Sequence, residues 1–145
     1  MSEKIYDSIR KQWVAATPEE LVRQRLIFLL TEELGFPREL MAVERRISEI
    51  TFDSQAPNRR LDLLCYYREK EALKPLLIIE CKAIPLSSAA LQQVIGYNDY
   101  VRAPYISIVN GDKIKLGWYD ATKKNYCFVD GIPDYRELIQ ACASL

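Results

Sequence analysis

The order of secondary-structure signals along the chain predicts an α/β fold, a mixed β-sheet flanked by helices. Three observations carry that expectation. A capped helical segment precedes the first strand signals. Residues 75–82 read Pro75-Leu76-Leu77-Ile78-Ile79-Glu80-Cys81-Lys82, apolar on both faces, as a central strand covered on both sides does. Strands and helices then alternate to the end of the chain.

Taken in order, residues 1–16 hold a short mixed segment, Ile5 to Val14, that fits a helix or an arm. Thr17-Pro18-Glu19-Glu20 is a helix start. Thr17 is a capping residue, Pro18 suits the first turn, and Glu20 completes a capping box. Leu21, Ile27, Phe28, Leu30 and Leu34 supply an apolar face, and Gly35 and Pro37 end the helix. Residues 41–52 read as a strand with Val43, Ile47 and Ile50 among charges, and 53–60 as a polar loop around Pro57-Asn58. Residues 61–67 form a strand, 68–74 a charged turn and 75–82 the central strand. Ser87 or Ser88 caps a helix reaching about Val101. A strand at 104–109 follows, Asn110-Gly111 signals a tight turn into a strand at 113–119, a short strand spans 126–129, and a helix spans 133–143.

The 145 residues suit one compact domain, with its core at roughly 17–120 and the C-terminal helix beyond it. Hydrophobic residues at 49% and charged residues at 28% are ordinary for a globular chain. Twenty basic and twenty acidic residues cancel, so any nucleic-acid surface must arise from local segregation of charge. The absence of histidine excludes a Ser-His-Asp triad, a Cys-His pair and a His-bearing zinc site. Cys65, Cys81, Cys127 and Cys142 form no C-x-x-C spacing and read as reduced thiols of a cytoplasmic protein. No signal peptide or 18-residue apolar span is expected, and the five scattered glycines form neither a P-loop nor a dinucleotide fingerprint.

The charges on the two central strands are the informative feature. Asp62 lies 18 residues before Glu80, and Lys82 follows at the next-but-one position. Burying an isolated ion costs several kcal/mol, roughly, so such a cluster exists to hold a metal or to do chemistry unless it is a salt-bridged strand end. Folding the two strands about residues 68–74, with the midpoint between Glu71 and Ala72, sets Asp62 across from Cys81 and flanks that point with Glu80 and Lys82. Asp62 and Glu80 then supply two hard oxygen ligands for Mg2+ or Mn2+, and the Cys81 backbone carbonyl a third. Lys82 would orient the attacking water and offset developing negative charge. Without metal, the two carboxylates raise each other's pKa, so removing either is expected to relieve strain.

Together these residues resemble the PD-(D/E)xK nuclease superfamily, and in particular the N-terminal nuclease domain of type I restriction enzyme R subunits. The stretches that carry the likeness are Pro18-Glu19-Glu20-Leu21-Val22-Arg23-Gln24, Leu34-Gly35-Phe36-Pro37, Val43-Glu44, Arg60-Leu61-Asp62, Ile79-Glu80-Cys81-Lys82-Ala83, Gln93-Val94-Ile95-Gly96-Tyr97-Asn98 and Val109-Asn110-Gly111. The resemblance covers roughly residues 17–120. It implies a restriction-endonuclease-like core and Mg2+-dependent cleavage of DNA, as a component of a larger restriction or repair complex. It also makes Glu20 an extra metal ligand, a role that stands beside the helix-capping one. The chain has no room for the helicase motor of the family's R subunits.

Gln93 and Tyr97 share a helix face, and in related nucleases such a pair flanks the active site and touches DNA or an active-site ligand. Arg59 and Arg60 stand just before the Asp62 strand, where phosphate contact competes with a solvated strand end. The expected function is a metal-dependent nuclease acting on DNA, with Asp62, Glu80 and Lys82 as its catalytic residues. The alternative is a module that keeps the fold and charges but only binds nucleic acid or protein.

Overall fold

The computed structural model describes residues 3–111 and 113–143; the first two residues of the N-terminal segment lie outside that range. A two-stranded hairpin comes first, β1 (Lys4–Asp7) and β2 (Gln12–Ala15). Helix α1 (Pro18–Phe28) continues into a π-helical turn, Leu29–Glu33, and a short 3-10 turn, Arg38–Leu40. Then come β3 (Met41–Arg46), the one-turn helix α2 (Ile47–Ile50), β4 (Arg60–Glu69), β5 (Ala72–Cys81), α3 (Ser88–Val101), β6 (Tyr105–Val109), β7 (Ile114–Asp120), β8 (Asn125–Asp130) and α4 (Tyr135–Cys142). The six-stranded sheet keeps sequence order from β3 to β8, and only the β5–β6 pair is parallel, joined through α3. The α/β fold expected from the sequence is therefore observed.

Each sheet face has its own core. On one, Val22, Leu26, Ile27 and Leu30 from α1 and its extension, with Leu138 of α4, pack on Leu63, Cys65, Leu77, Ile79 and Cys81. On the other, Ile47 of α2 and Val94 and Val101 of α3 pack on Leu64, Ile78 and Ile106. Leu76, Leu77, Ile78 and Ile79 are all fully buried, as the unbroken apolar run of β5 predicts. No helix among the described residues is long and apolar enough to cross a membrane.

The helix ends follow local chemistry. Thr17 is extended, and its hydroxyl accepts from the Glu20 N–H at 3.1 Å. Gly35 leaves the π-helical turn at φ +73, a left-handed conformation that favours glycine. Ser87 caps α3 by accepting from the Ala90 N–H. At the other end Arg102 is left-handed without being glycine. There the Asn98 side chain accepts from the Ala103 N–H and donates to its carbonyl, each at 2.8 Å, and so fixes the exit of the chain.

Three details depart from the sequence reading. The N-terminal segment is a β-hairpin, not a helix. The strand expected over 41–52 ends at Arg46 and becomes α2, because Ile47 turns into the core beneath α3 instead of continuing the ladder. The β4–β5 register also differs. The turn is tight, at Lys70 and Glu71, with Glu69 facing Ala72, and a bulge between Cys65 and Tyr66 shifts the pairing so that Leu63 faces Ile79. Continued one step, that register sets Asp62 across from Glu80, not Cys81. The one-residue difference matters because direct cross-strand partners share a sheet face.

Candidate active site

The site is built where β4 begins and β5 ends. Asp62 and Glu80 are 8% and 5% exposed, and each accepts from the backbone of the other's strand. Asp62 Oδ2 accepts from the Cys81 N–H at 2.7 Å, and Glu80 Oε1 accepts from the Asp62 N–H at 3.3 Å. These bonds lock the two carboxyl groups side by side at the strand ends. Burial, then the Asp62 charge beside it, pushes the Glu80 carboxyl up to about 9, partly offset by the Asp62 N–H and by Lys82. Glu80 thus carries a proton at neutral pH unless a cation takes its place. Burial also raises the Cys81 thiol well above its usual range, and its side chain belongs to the core rather than to any ligand set.

Lys82 follows β5 and is half-buried; its N–H donates to the Val109 carbonyl. Its ammonium donates to Gln93 Oε1 at 3.3 Å, so Gln93 of α3 is joined to the site. Tyr97, one turn further along α3, is half-buried. Burial raises its pKa, and the Glu80 charge raises it further, so its hydroxyl stands within the field of the carboxyl pair. Arg59 and Arg60 are exposed at the entry to β4; Arg59 acts electrostatically on Tyr97, and Arg60 stands 3.8 Å from Glu44.

Glu20 sits on the α1 side. Thr17 makes the capping bond, but the Glu20 carboxylate does not reach back to complete a box. Its Oε1 accepts from Arg10 and from Arg23 Nη1 at 2.9 Å, and its Oε2 from Gln24 at 3.1 Å. Arg23, only 5% exposed, donates through Nη2 to Asp62 Oδ1 at 2.8 Å and lies 3.5 Å from Glu44. Its Nε is a buried donor without a hydrogen-bond partner. Burial pulls the Arg23 pKa down, yet Asp62, Glu20 and Glu44 outweigh it and the net shift is upward. Arg10 extends the chain of charge, pairing with Asp7, Glu20 and Glu44.

Arg23, Glu44 and Arg10 were not singled out by sequence reasoning. For Glu44 a signal existed. Val43 pairs with Leu63 and Arg45 with Leu61, which sets Glu44 across from Asp62, so Glu44, Asp62 and Glu80 line up over three neighbouring strands at 18-residue intervals. Glu44 also has a positive φ of 55°, a strained value that marks a break in the strand at this point. Arg23 carried no such signal; an arginine on an amphipathic helix normally faces solvent.

The donor chemistry fits a hard divalent cation. Mg2+ is commonly held by one or two carboxylates and keeps several waters, which suits Asp62 and Glu80 together with a backbone carbonyl. No group of three or more His, Cys, Asp and Glu side chains stands in metal-binding geometry among the described residues, so the carboxyl pair defines the candidate centre.

Residues 18–133 match the family described as type I restriction enzyme R protein N terminus, and the chain belongs to that family. The matched region spans α1 through β8 and holds every residue of the candidate centre. No curated protein and no solved structure matches the chain.

Proposed function

We propose that the chain is a Mg2+- or Mn2+-dependent nuclease of the PD-(D/E)xK type that cleaves phosphodiester bonds, with DNA as substrate, in a restriction or DNA-processing complex of the cytoplasm. The observation that carries this reading is the buried Asp62–Glu80 pair, with Glu80 raised to about 9 and Lys82 beside it. A carboxyl group held at that cost is stabilised as an anion by a divalent cation, and perturbed groups of this kind concentrate at functional sites.

Asp62, Glu80 and the Cys81 carbonyl would hold the cation. When bound, it acidifies water and polarises the scissile phosphate. Lys82, steadied by Gln93, orients the attacking water and offsets the negative charge that grows on the phosphoryl oxygens. Tyr97, Arg59 and Arg60 line the approach and contact the backbone of the nucleic acid. Glu20 acts one step back, fixing Arg23, which in turn fixes Asp62.

The test is incubation of the purified protein with single- and double-stranded DNA and RNA in Mg2+ or Mn2+, with Lys82→Ala as control. Metal-dependent cleavage lost in the variant is the expected result. One observation favours a second reading, a binding module on the same fold: Asp62 Oδ1 is already taken by the Arg23 guanidinium. Salt-dependent binding of nucleic acid without cleavage under any metal would select it.

A further inference from the structure

Residues 4–15 form a hairpin that precedes the family match at residue 18. One face of this hairpin is unusual. Tyr6 and Trp13 are direct cross-strand partners, packed edge to face with ring centroids 5.4 Å apart, yet they remain 47% and 65% exposed. Neither belongs to a core cluster of the sheet. Lys4 and Ala15 pair at the next position on the same face, so the only charge the strands carry there is positive. Lys11 stands exposed at the turn, and neither lysine enters an ion pair among the described residues.

The hairpin is fastened to the candidate centre. Asp7, fully buried, accepts from the Ile9 and Arg10 backbone N–H groups and from the Arg10 guanidinium. Arg10 reaches Glu20 and Glu44, and Arg23 joins Glu20 to Asp62. Ile9 packs against the core at the same turn. The hairpin that carries this aromatic, cationic face is thereby joined to Asp62 through Arg10, Glu20 and Arg23.

We propose that this hairpin is a substrate arm: Tyr6 and Trp13 stack on bases of the nucleic-acid strand that runs into the centre, and Lys4 and Lys11 meet its phosphates. The inference rests on the nuclease reading above. Stacking on aromatic side chains is tolerant of sequence and pairs naturally with a cationic groove, and the face offers both with no acidic group to repel a phosphate.

The experiment uses the full chain carrying Trp118→Phe, which leaves Trp13 as the sole tryptophan. Its fluorescence is followed as single-stranded and duplex DNA are added in EDTA, so that binding is read without cleavage. Trp13 emission should be quenched on binding. Tyr6→Ala with Trp13→Ala should weaken affinity about ten-fold or more, while Mn2+ binding at Asp62 and Glu80 stays unchanged by calorimetry. DNA binding with neither quenching nor loss in the double variant would overturn the arm and leave the nuclease reading intact. A double variant that loses a dimer in light scattering but binds DNA normally would overturn it in favour of a second copy of the chain. Failure of the parent protein to bind or cut any nucleic acid would sink the nuclease reading, and the arm with it.

Discussion

Asp62 and Glu80 are adjacent, yet replacing them should have opposite effects on the metal-free fold. Asp62 is the acceptor for buried Arg23 and for the Cys81 N–H, so Asp62→Ala orphans two donors and should lower stability by roughly 1–3 kcal/mol. The expectation from sequence, that losing either carboxylate relieves strain, fails for Asp62 because its guanidinium partner was not visible. For Glu80 the expectation is kept. Its pKa moves from 4.5 when unfolded to about 9 when folded, so folding takes up a proton anywhere between these values. Stability is therefore full below pH 4.5 and falls as pH rises towards 9. Thermal melts in EDTA at a series of pH values should show that decline, and Glu80→Gln should flatten it. Both variants should lose Mn2+ binding in calorimetric titration. At the third residue, Lys82→Ala should reduce cleavage roughly 10²–10³-fold with nucleic-acid binding retained, and Gln93→Ala should reduce it less, because it frees the ammonium without removing it. Single-turnover rates beside binding isotherms check both.

Among the elements, those written in local chemistry were the easiest to read. The Thr17 and Ser87 caps, the Gly35 exit and the apolar run of β5 each stand in a few consecutive residues, and each forms where expected. The N-terminal hairpin and the end of β3 were not legible, because long-range contacts decide them: Arg10 with Glu20, and Ile47 with the α3 face. The β7–β8 pair gives a test at this scale. Gly117 faces Phe128, and a Cβ at Gly117 would come within 2.5 Å of that ring. Gly117→Ala should cost roughly 1–3 kcal/mol by displacing the phenyl group, and Gly117→Ala with Phe128→Leu should recover part of it; denaturant melts measure the difference.

For the whole molecule, the sequence carried the sheet, the helices on its two faces and the charged residues Asp62 of β4, Glu80 of β5 and Lys82 just beyond it. It did not carry Arg10 and Arg23 as partners of the site's carboxylates, since guanidinium–carboxylate pairs distant in sequence leave no local pattern, and the 18-residue spacing that marks Glu44 gains meaning only once β3 is paired with β4. Nor did it carry the one-residue offset in the pairing of β4 with β5. That offset has its own consequence. It is set by the Lys70–Glu71 turn and the bulge at Cys65 and Tyr66, and the turn lies about 25 Å along the strand from the carboxyl pair at ~3.3 Å per residue. A strand has only two sides, so a whole-residue change in this hairpin acts on the remote centre like a parity bit: an odd number of added residues inverts the side on which one carboxyl group emerges, and an even number restores it. One glycine inserted between Lys70 and Glu71 should thus abolish Mn2+ binding, whereas one glycine inserted in the exposed 53–55 stretch, no further from Asp62 in sequence, should be silent; calorimetry on the two insertions would show whether the hairpin's length is counted or merely tolerated.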